Sequence, residues 1–307
     1  MKTYNENIDI IKGIAIILVV IGHIVQLREG TQHVVYQWIY KYHMDIFFFC
    51  SGLVFSGLDM KSGIQDVLTI TKNKTFRLCV PYFVWTFIIF SIDKQSFTFS
   101  NIVDYLRYPK YGLWFLKSLF QYSIFVIIFY YIISLVKYCF VKKTELLFIL
   151  SLLLLALVQS DSHFFYFIVG ITFNRFSDLQ EYLLNRFCVM LASVLLILSI
   201  FISKIPNYLI VASAILYIYN LGEKMPDKLK TQIVLMGKNS MPIFLLHILI
   251  IKPLMLQVPT EPFLLFLLCM IFSILISYMC LLLYWLTNSG ILGTLLYGEK
   301  NNLFKKF

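Results

Sequence analysis

Charge is what this sequence has least of. Lys, Arg, Asp and Glu make up 14% of the 307 residues, against about 25% in soluble chains. The apolar share is 60%, against roughly 45–50%, so too little polar surface is left to coat a water-soluble globule. Space is short as well. A bilayer core takes about 20 residues per helical crossing, so ten crossings would leave about 107 residues for nine connections and two tails. No separate soluble domain fits, and one integral membrane domain over residues 1–307 is expected.

Other absences narrow the chemistry. None of the six cysteines forms a C-x-x-C pair, so neither a disulfide framework nor a zinc site is indicated, and no metal is expected. Five of them (Cys50, Cys79, Cys188, Cys269 and Cys280) lie inside apolar runs, and Cys139 ends one; they read as small buried side chains. No internal repeat stands out, which weighs against a repeat-built transporter. Glu6, Asp9 and Lys12 interrupt the approach to the first apolar run, and no small-x-small cleavage site follows. That run is expected to be a retained helix.

What is present is a series of apolar segments, at about 8–27, 38–58, 78–92, 112–136, 145–159, 164–176, 187–203, 208–221, 240–256 and 263–286. They predict an all-α membrane protein, a bundle of about ten transmembrane helices. The fifth and sixth segments flank the polar turn Gln159–His163 and suit a helical hairpin that stops short of spanning. Sorted by this arrangement, 18 of the 26 Lys and Arg residues fall on one side and 8 on the other. The basic excess marks the inner face, so both termini are expected in the cytoplasm. The formal net charge of +10 is thereby a topology signal, with attraction to membrane lipid headgroups as a by-product; nucleic acid is not an expected partner.

An ionisable group inside a membrane segment is costly and is a functional candidate by default. Lys12 and His23 stand eleven residues apart on the first helix. At 100° per residue they share one face, about 16 Å apart along the axis. Gly13 and Gly22 allow close approach of a neighbouring helix. A cation near the cytoplasmic mouth and an imidazole deeper in suit an elongated ligand with phosphate at one end and a reacting group at the other. Coenzyme A has that shape. Lys12 would equally snorkel to the headgroups; a histidine in an aliphatic helix has no such role.

The second segment holds His43 and Asp45 near the outer interface, and Ser51-Gly52, where a backbone can come close to a ligand or helix. Before the third segment stand Lys72, Lys74 and Arg77 with Pro81. They form a cation cluster suited to phosphate, Arg77 through its bidentate fork, or to setting topology. Trp114 and Lys117 open the fourth segment at the outer face. In the ninth, Ser240 reads as an N-cap and His247 lies seven residues on, on the same face. His33 and His163 fall in predicted outer loops and are expected to be solvated.

These motifs together resemble the acyltransferase family 3 membrane proteins, which O-acetylate bacterial surface glycans. Lys12, Gly13, Ala15 and His23 match a first helix of the form basic-Gly-x-Ala ending in histidine. HMDIFFFCSG is similar to the second-helix signature, RLCVP and LWFL resemble the third- and fourth-helix markers, and SMPIFLLH is similar to the late histidine-bearing helix. The matches recur in order from residue 9 to residue 247.

The resemblance implies a multi-pass acyltransferase of the bacterial cytoplasmic (inner) membrane. Its donor would be acetyl-CoA, used as a substrate with no tightly bound cofactor, and its acceptor a glycan or lipid-linked glycan. It implies His23 as the catalytic histidine and Lys12, Lys74, Arg77 and Ser51 on the acyl-CoA side. His43, Asp45, Trp114, Lys117, Ser240 and His247 fall to the acceptor or to supporting roles. Three positions depart from the family pattern: Lys12 where arginine is commoner, Asp45 where proline is usual, and Lys117 where many relatives are acidic. The expected function is transfer of an acetyl group to a sugar hydroxyl of a capsular or exopolysaccharide precursor. The reading from another class is a transporter or flippase for lipid-linked sugars.

Overall fold

The computed structural model describes residues 6–55, 64–92, 98–109, 112–136, 152, 155, 161–176, 183–202, 205–255 and 262–298. Among these residues the chain is helical and has no strand. In a chain with so little polar side-chain surface, the helix is the structure that satisfies every backbone N–H and C=O within one segment.

The chain forms two compact units, residues 1–55 with 153–282, and residues 56–152 with 283–307. The first contains α1 (Glu6–Glu29), α2 (Val34–Tyr40), α3 (His43–Leu53), α8 (Ser162–Arg175), α9 (Arg186–Phe201), α10 (Asn207–Lys224), α11 (Asp227–Lys238) and α12 (Ser240–Met255). The second contains α4 (Ile64–Lys74), a π-helical turn (Thr75–Cys79), α5 (Val80–Ile92), α6 (Phe99–Arg107), α7 (Trp114–Val136) and α14 (Gly290–Tyr297). α13 (Pro262–Thr287) begins in the first and ends in the second.

Helix starts follow local chemistry. Asp161 caps α8 by accepting from the His163 and Phe164 N–H groups at 3.0 and 3.2 Å, and Asn185 caps α9 through Cys188 N–H at 2.8 Å. Each side chain satisfies donors that the first helical turn leaves open. Pro206 and Pro226 stand just before α10 and α11.

Three helices among the described residues are long and apolar enough to cross a membrane: Glu6–Glu29, Ile64–Ile92 and Trp114–Ile132. Asp227–Lys238 and Ser240–Pro253 add a fourth if they act as one span, although they meet at 82°. Arg186–Phe201, Asn207–Gly222 and Ile271–Thr287 are shorter and apolar. α9 leaves Phe187 68% and Phe201 79% exposed, a face suited to hydrocarbon rather than water. The chain is read accordingly as a membrane protein.

Two expected segments are corrected. The second, 38–58, is not one helix: α2 ends at Tyr40, and α3 starts anew at His43 after Tyr42 leaves helical geometry (φ −144°, ψ −21°). α3 is then 11 residues long, about 16 Å, well short of a bilayer core. The third does not begin near residue 78. Helical backbone runs from Ile64 through the π turn to Ile92, so the Lys72–Arg77 cluster lies on a helix. Hydropathy hid this, because α4 is nearly neutral in polarity while its backbone continues. The fifth segment, 145–159, lies outside the described residues save for Leu152 and Leu155.

The first unit is held by backbone contacts that only glycine permits. A Cβ on Gly13 of α1 would come 2.1 Å from the Ile233 carbonyl oxygen of α11, and one on Gly237 of α11 would come 1.7 Å from that of Asp9. α3 and α8 meet in the same reciprocal way, Gly52 against Phe167 and Gly170 against Phe49. Small residues at such crossings let helices gain dispersion contact where lipid removes the hydrophobic drive. Gly22 fulfils a looser version of the expectation: a Cβ there would come 3.1 Å from the Tyr40 ring.

Candidate active site

The first unit carries Lys12, His23, His43, Asp45, Ser51, Ser240 and His247. The second carries Lys74, Arg77, Trp114 and Lys117. Each group is described within its own unit.

His23 sits six residues before the end of α1, half-buried. Its Nδ1 lies 2.9 Å from the Gln26 amide oxygen, one helical turn on, and 3.2 Å from the Tyr40 hydroxyl. Tyr40 in turn donates to Gln26 Oε1 at 3.4 Å. An amide oxygen only accepts, so His23 Nδ1 carries the proton and donates, and Nε2 keeps its lone pair. An imidazole held in that tautomer by its other nitrogen is set for base or nucleophile chemistry.

Two more histidines gather round it. The His247 ring from α12 stands 5.1 Å from that of His23, tilted by 38°. The Tyr40 ring lies 6.0 Å from His23 and 4.5 Å from His43, edge-on to both. His43 is buried and donates from Nδ1 to the Ile39 carbonyl at 2.9 Å. Three of the expected site histidines therefore come together, although α1, α3 and α12 lie far apart in sequence. Among the described residues no group of three His, Cys, Asp or Glu side chains is placed to hold a metal ion.

The other expected residues fall as follows. The Lys12 ammonium is 2.6 Å from Asp9 Oδ1, one turn earlier on the same helix, so an anionic ligand there would share the cation with a carboxylate. Ser51 is half-buried beside the α3–α8 crossing. Ser240 is the first residue of α12, and Asn239 ends the helix before it, its side-chain amide donating to the Leu235 carbonyl at 2.8 Å.

Asp45, buried, takes a partner from α8: His163 Nδ1 lies 2.6 Å from Asp45 Oδ1. His163 also stacks on Phe48 at 5.0 Å. The expectation that His163 is a solvated loop residue is overturned, because Asp161 starts a helix there and turns the imidazole onto α3. His33 too has a local duty, accepting from Val35 N–H at 3.3 Å as the cap of α2. Asp45→Ala should lower the thermal stability of the detergent-solubilised protein by about 1–3 kcal/mol, the usual cost of losing a charge-assisted hydrogen bond. An unchanged unfolding temperature would show that the pair contributes nothing.

In the second unit Lys74 is the last residue of α4, and Arg77 is exposed on the π turn. No ion pair or side-chain hydrogen bond engages Arg77 among the described residues. Such turns change which side chains face outward and recur at functional sites. Lys117 points back to the end of α6, donating to the Arg107 and Leu106 carbonyls at 2.9 and 3.5 Å, where a cation complements the helix dipole. It also lines a cavity of about 320 Å³ with Tyr82, Leu106 and Gln121. Trp114 starts α7.

With that arrangement in view, comparison with known proteins is decisive. The family model of acyltransferase family 3, described as an acyltransferase domain, matches residues 5–283. The chain belongs to this family. The match takes in both histidines of the close pair and the Lys74–Arg77 turn, and it carries the acyltransferase reading over nearly the whole chain. The nodulation protein NolL of Sinorhizobium fredii (strain NBRC 101917 / NGR234) is 28% identical over 119 residues, which are 35% of this chain and 32% of that protein. The chain thus spans about a third of the curated relative it matches. No solved structure matches it.

Gln26, Tyr40 and His163 did not stand out in the sequence. Gln26 was within reach of a helical-spacing argument, since residues three apart on a helix are neighbours. Tyr40 and His163 arrive from other elements, and no local pattern announces them.

Proposed function

We propose that this protein moves an acetyl group from cytoplasmic acetyl-CoA to a sugar hydroxyl of a cell-surface, capsular or exopolysaccharide precursor. It would act as a multi-pass protein of the bacterial inner membrane, with about ten crossings and both termini inside. The observation that carries the reading is His23: a membrane-helix imidazole, held by Gln26 with its Nε2 lone pair available, in a chain of an acyltransferase family. Through Nε2 it serves as general base for the hydroxyl or as nucleophile toward the thioester. Lys12, Lys74, Arg77 and Ser51 are assigned to the donor. His43, Asp45, Trp114, Lys117, Ser240 and His247 are assigned to the acceptor or to support.

Membranes incubated with labelled acetyl-CoA, then extracted for glycan, test this directly. Label in the glycan fraction supports the transferase. Glycan movement without label supports a carrier of lipid-linked sugars and overturns the proposal.

The donor assignment has its own test. Arg77 is exposed and unengaged among the described residues, and one charge-assisted contact to phosphate is worth about 1.5–3 kcal/mol. Arg77→Ala should therefore raise the apparent dissociation constant for acetyl-CoA roughly tenfold or more, with a smaller change in kcat. Unchanged affinity would assign Arg77 to topology alone.

A further inference from the structure

Of the two imidazoles whose rings lie 5.1 Å apart, the proposed transfer so far gives a chemical step only to His23. His247 is fully buried on α12, with the Phe244 ring at 5.9 Å. Its Nδ1 lies 3.1 Å from the Ile243 carbonyl oxygen. A carbonyl only accepts, so Nδ1 carries the proton and Nε2 of the neutral ring holds a lone pair. That Nε2 is buried and has no hydrogen-bond partner among the described residues. Burying an acceptor without a donor is costly, and native proteins seldom do it without a functional reason. Leucine would fill the same place in an aliphatic helix without that penalty.

The same hydrogen-bond logic leaves a lone pair on His23 Nε2. Two neighbouring rings each hold one acceptor nitrogen with no hydrogen-bond partner among the described residues, and the complementary ligand is one that brings an O–H. The division of labour follows from the electrons. While an acyl group occupies His23 Nε2, that nitrogen has no lone pair left to take the acceptor's proton. A second base beside it is then required.

We propose that His23 is the nucleophile of the donor half of the reaction and His247 the general base of the acceptor half. The proposal rests on the acyl-transfer reading above. In the first half His23 Nε2 attacks the thioester carbonyl; the N–C bond forms, the C–S bond breaks, and coenzyme A leaves as the thiolate. Nδ1–H stays donated to Gln26 throughout. In the second half the sugar oxygen attacks the acyl carbon; the O–C bond forms, and the N–C pair returns to His23 Nε2. The hydroxyl proton passes to His247 Nε2 and on to the thiolate, so both rings end neutral and coenzyme A ends as the thiol.

The test uses membranes carrying the full chain and acetyl-CoA labelled in the acetyl group, with label followed in both glycan and protein. His247→Gln keeps a hydrogen-bond acceptor but has no basic nitrogen. It should slow glycan labelling by about 100-fold or more and accumulate protein-bound label that neutral hydroxylamine releases. The double variant His23→Ala/His247→Gln should accumulate none. Glycan labelling within about threefold of wild type would overturn the assignment, as would slow transfer with protein-bound label no higher than in the double variant.

A second measurement does not depend on how a variant folds. Wild-type protein purified away from glycan and given labelled acetyl-CoA should retain hydroxylamine-sensitive label on the peptide containing His23. No such label, in a preparation that still labels added glycan-bearing membranes, overturns the two-histidine route alone. Label in neither glycan nor protein overturns the acyltransferase reading itself.

Discussion

His23→Ala should abolish glycan acetylation while leaving the amount of protein in the membrane unchanged. Loss of a positioned acid–base or nucleophilic group costs about 100- to 10,000-fold in rate, and here the group is a half-buried imidazole oriented by a side-chain amide oxygen. The fold should tolerate the change. Tyr40 still donates to Gln26 Oε1 at 3.4 Å without the imidazole, so neither partner is left without the other. Acetate incorporation into extracted glycan, normalised to protein in the washed membrane fraction, measures the effect. Full activity in the variant would remove His23 from the reaction and leave the family's first-helix pattern in this chain without a chemical role.

The largest structural effect is expected at the α1–α11 crossing. A Cβ at residue 237 would sit 1.7 Å from the Asp9 carbonyl oxygen, and that oxygen belongs to helix backbone that cannot swing aside. Gly237→Val should destabilise the first unit by on the order of 3 kcal/mol or more. It would also displace the N-terminal half of α1, which carries Lys12. Gly222→Ala is the matched control. Its Cβ would meet the tip of the Ile10 side chain at 2.9 Å, a group able to rotate, so the loss should be much smaller. The fraction of detergent-extracted protein that still elutes as a single species after graded heating reads both. Equal behaviour of the two variants would show that the close crossing does not hold the fold.

Arrangement within a helix is legible in the sequence. The Lys12–His23 spacing survives because α1 is one uninterrupted helix from Glu6 to Glu29, and a 3.6-residue period fixes which side chains share a face. The same period places Asp9 and Gln26 beside Lys12 and His23, and the ion pair and hydrogen bond found there follow directly. Hydropathy was less reliable at boundaries. It joined α2 to α3 across a break at Tyr42, which keeps its apolar character while leaving helical geometry. It also cut the Ile64–Ile92 helix where Lys72, Lys74 and Arg77 lower the average, though charged residues do not stop a helix.

By itself, then, the sequence determined the class of protein and the chemistry carried along α1. Composition rules out a water-soluble globule, and local backbone hydrogen bonding dictates helices. Only the tertiary structure decided that His247, 224 positions after His23 in the chain, lies against it. It also decided that Tyr40 reaches back to the same imidazole, that His163 pairs with Asp45, and that Lys117 closes the end of α6. The physical reason is that apolar helices are greasy on nearly every face. Which face meets which neighbour is set by small-residue crossings and by a few polar pairs between elements, and those depend on packing that a one-dimensional pattern does not contain.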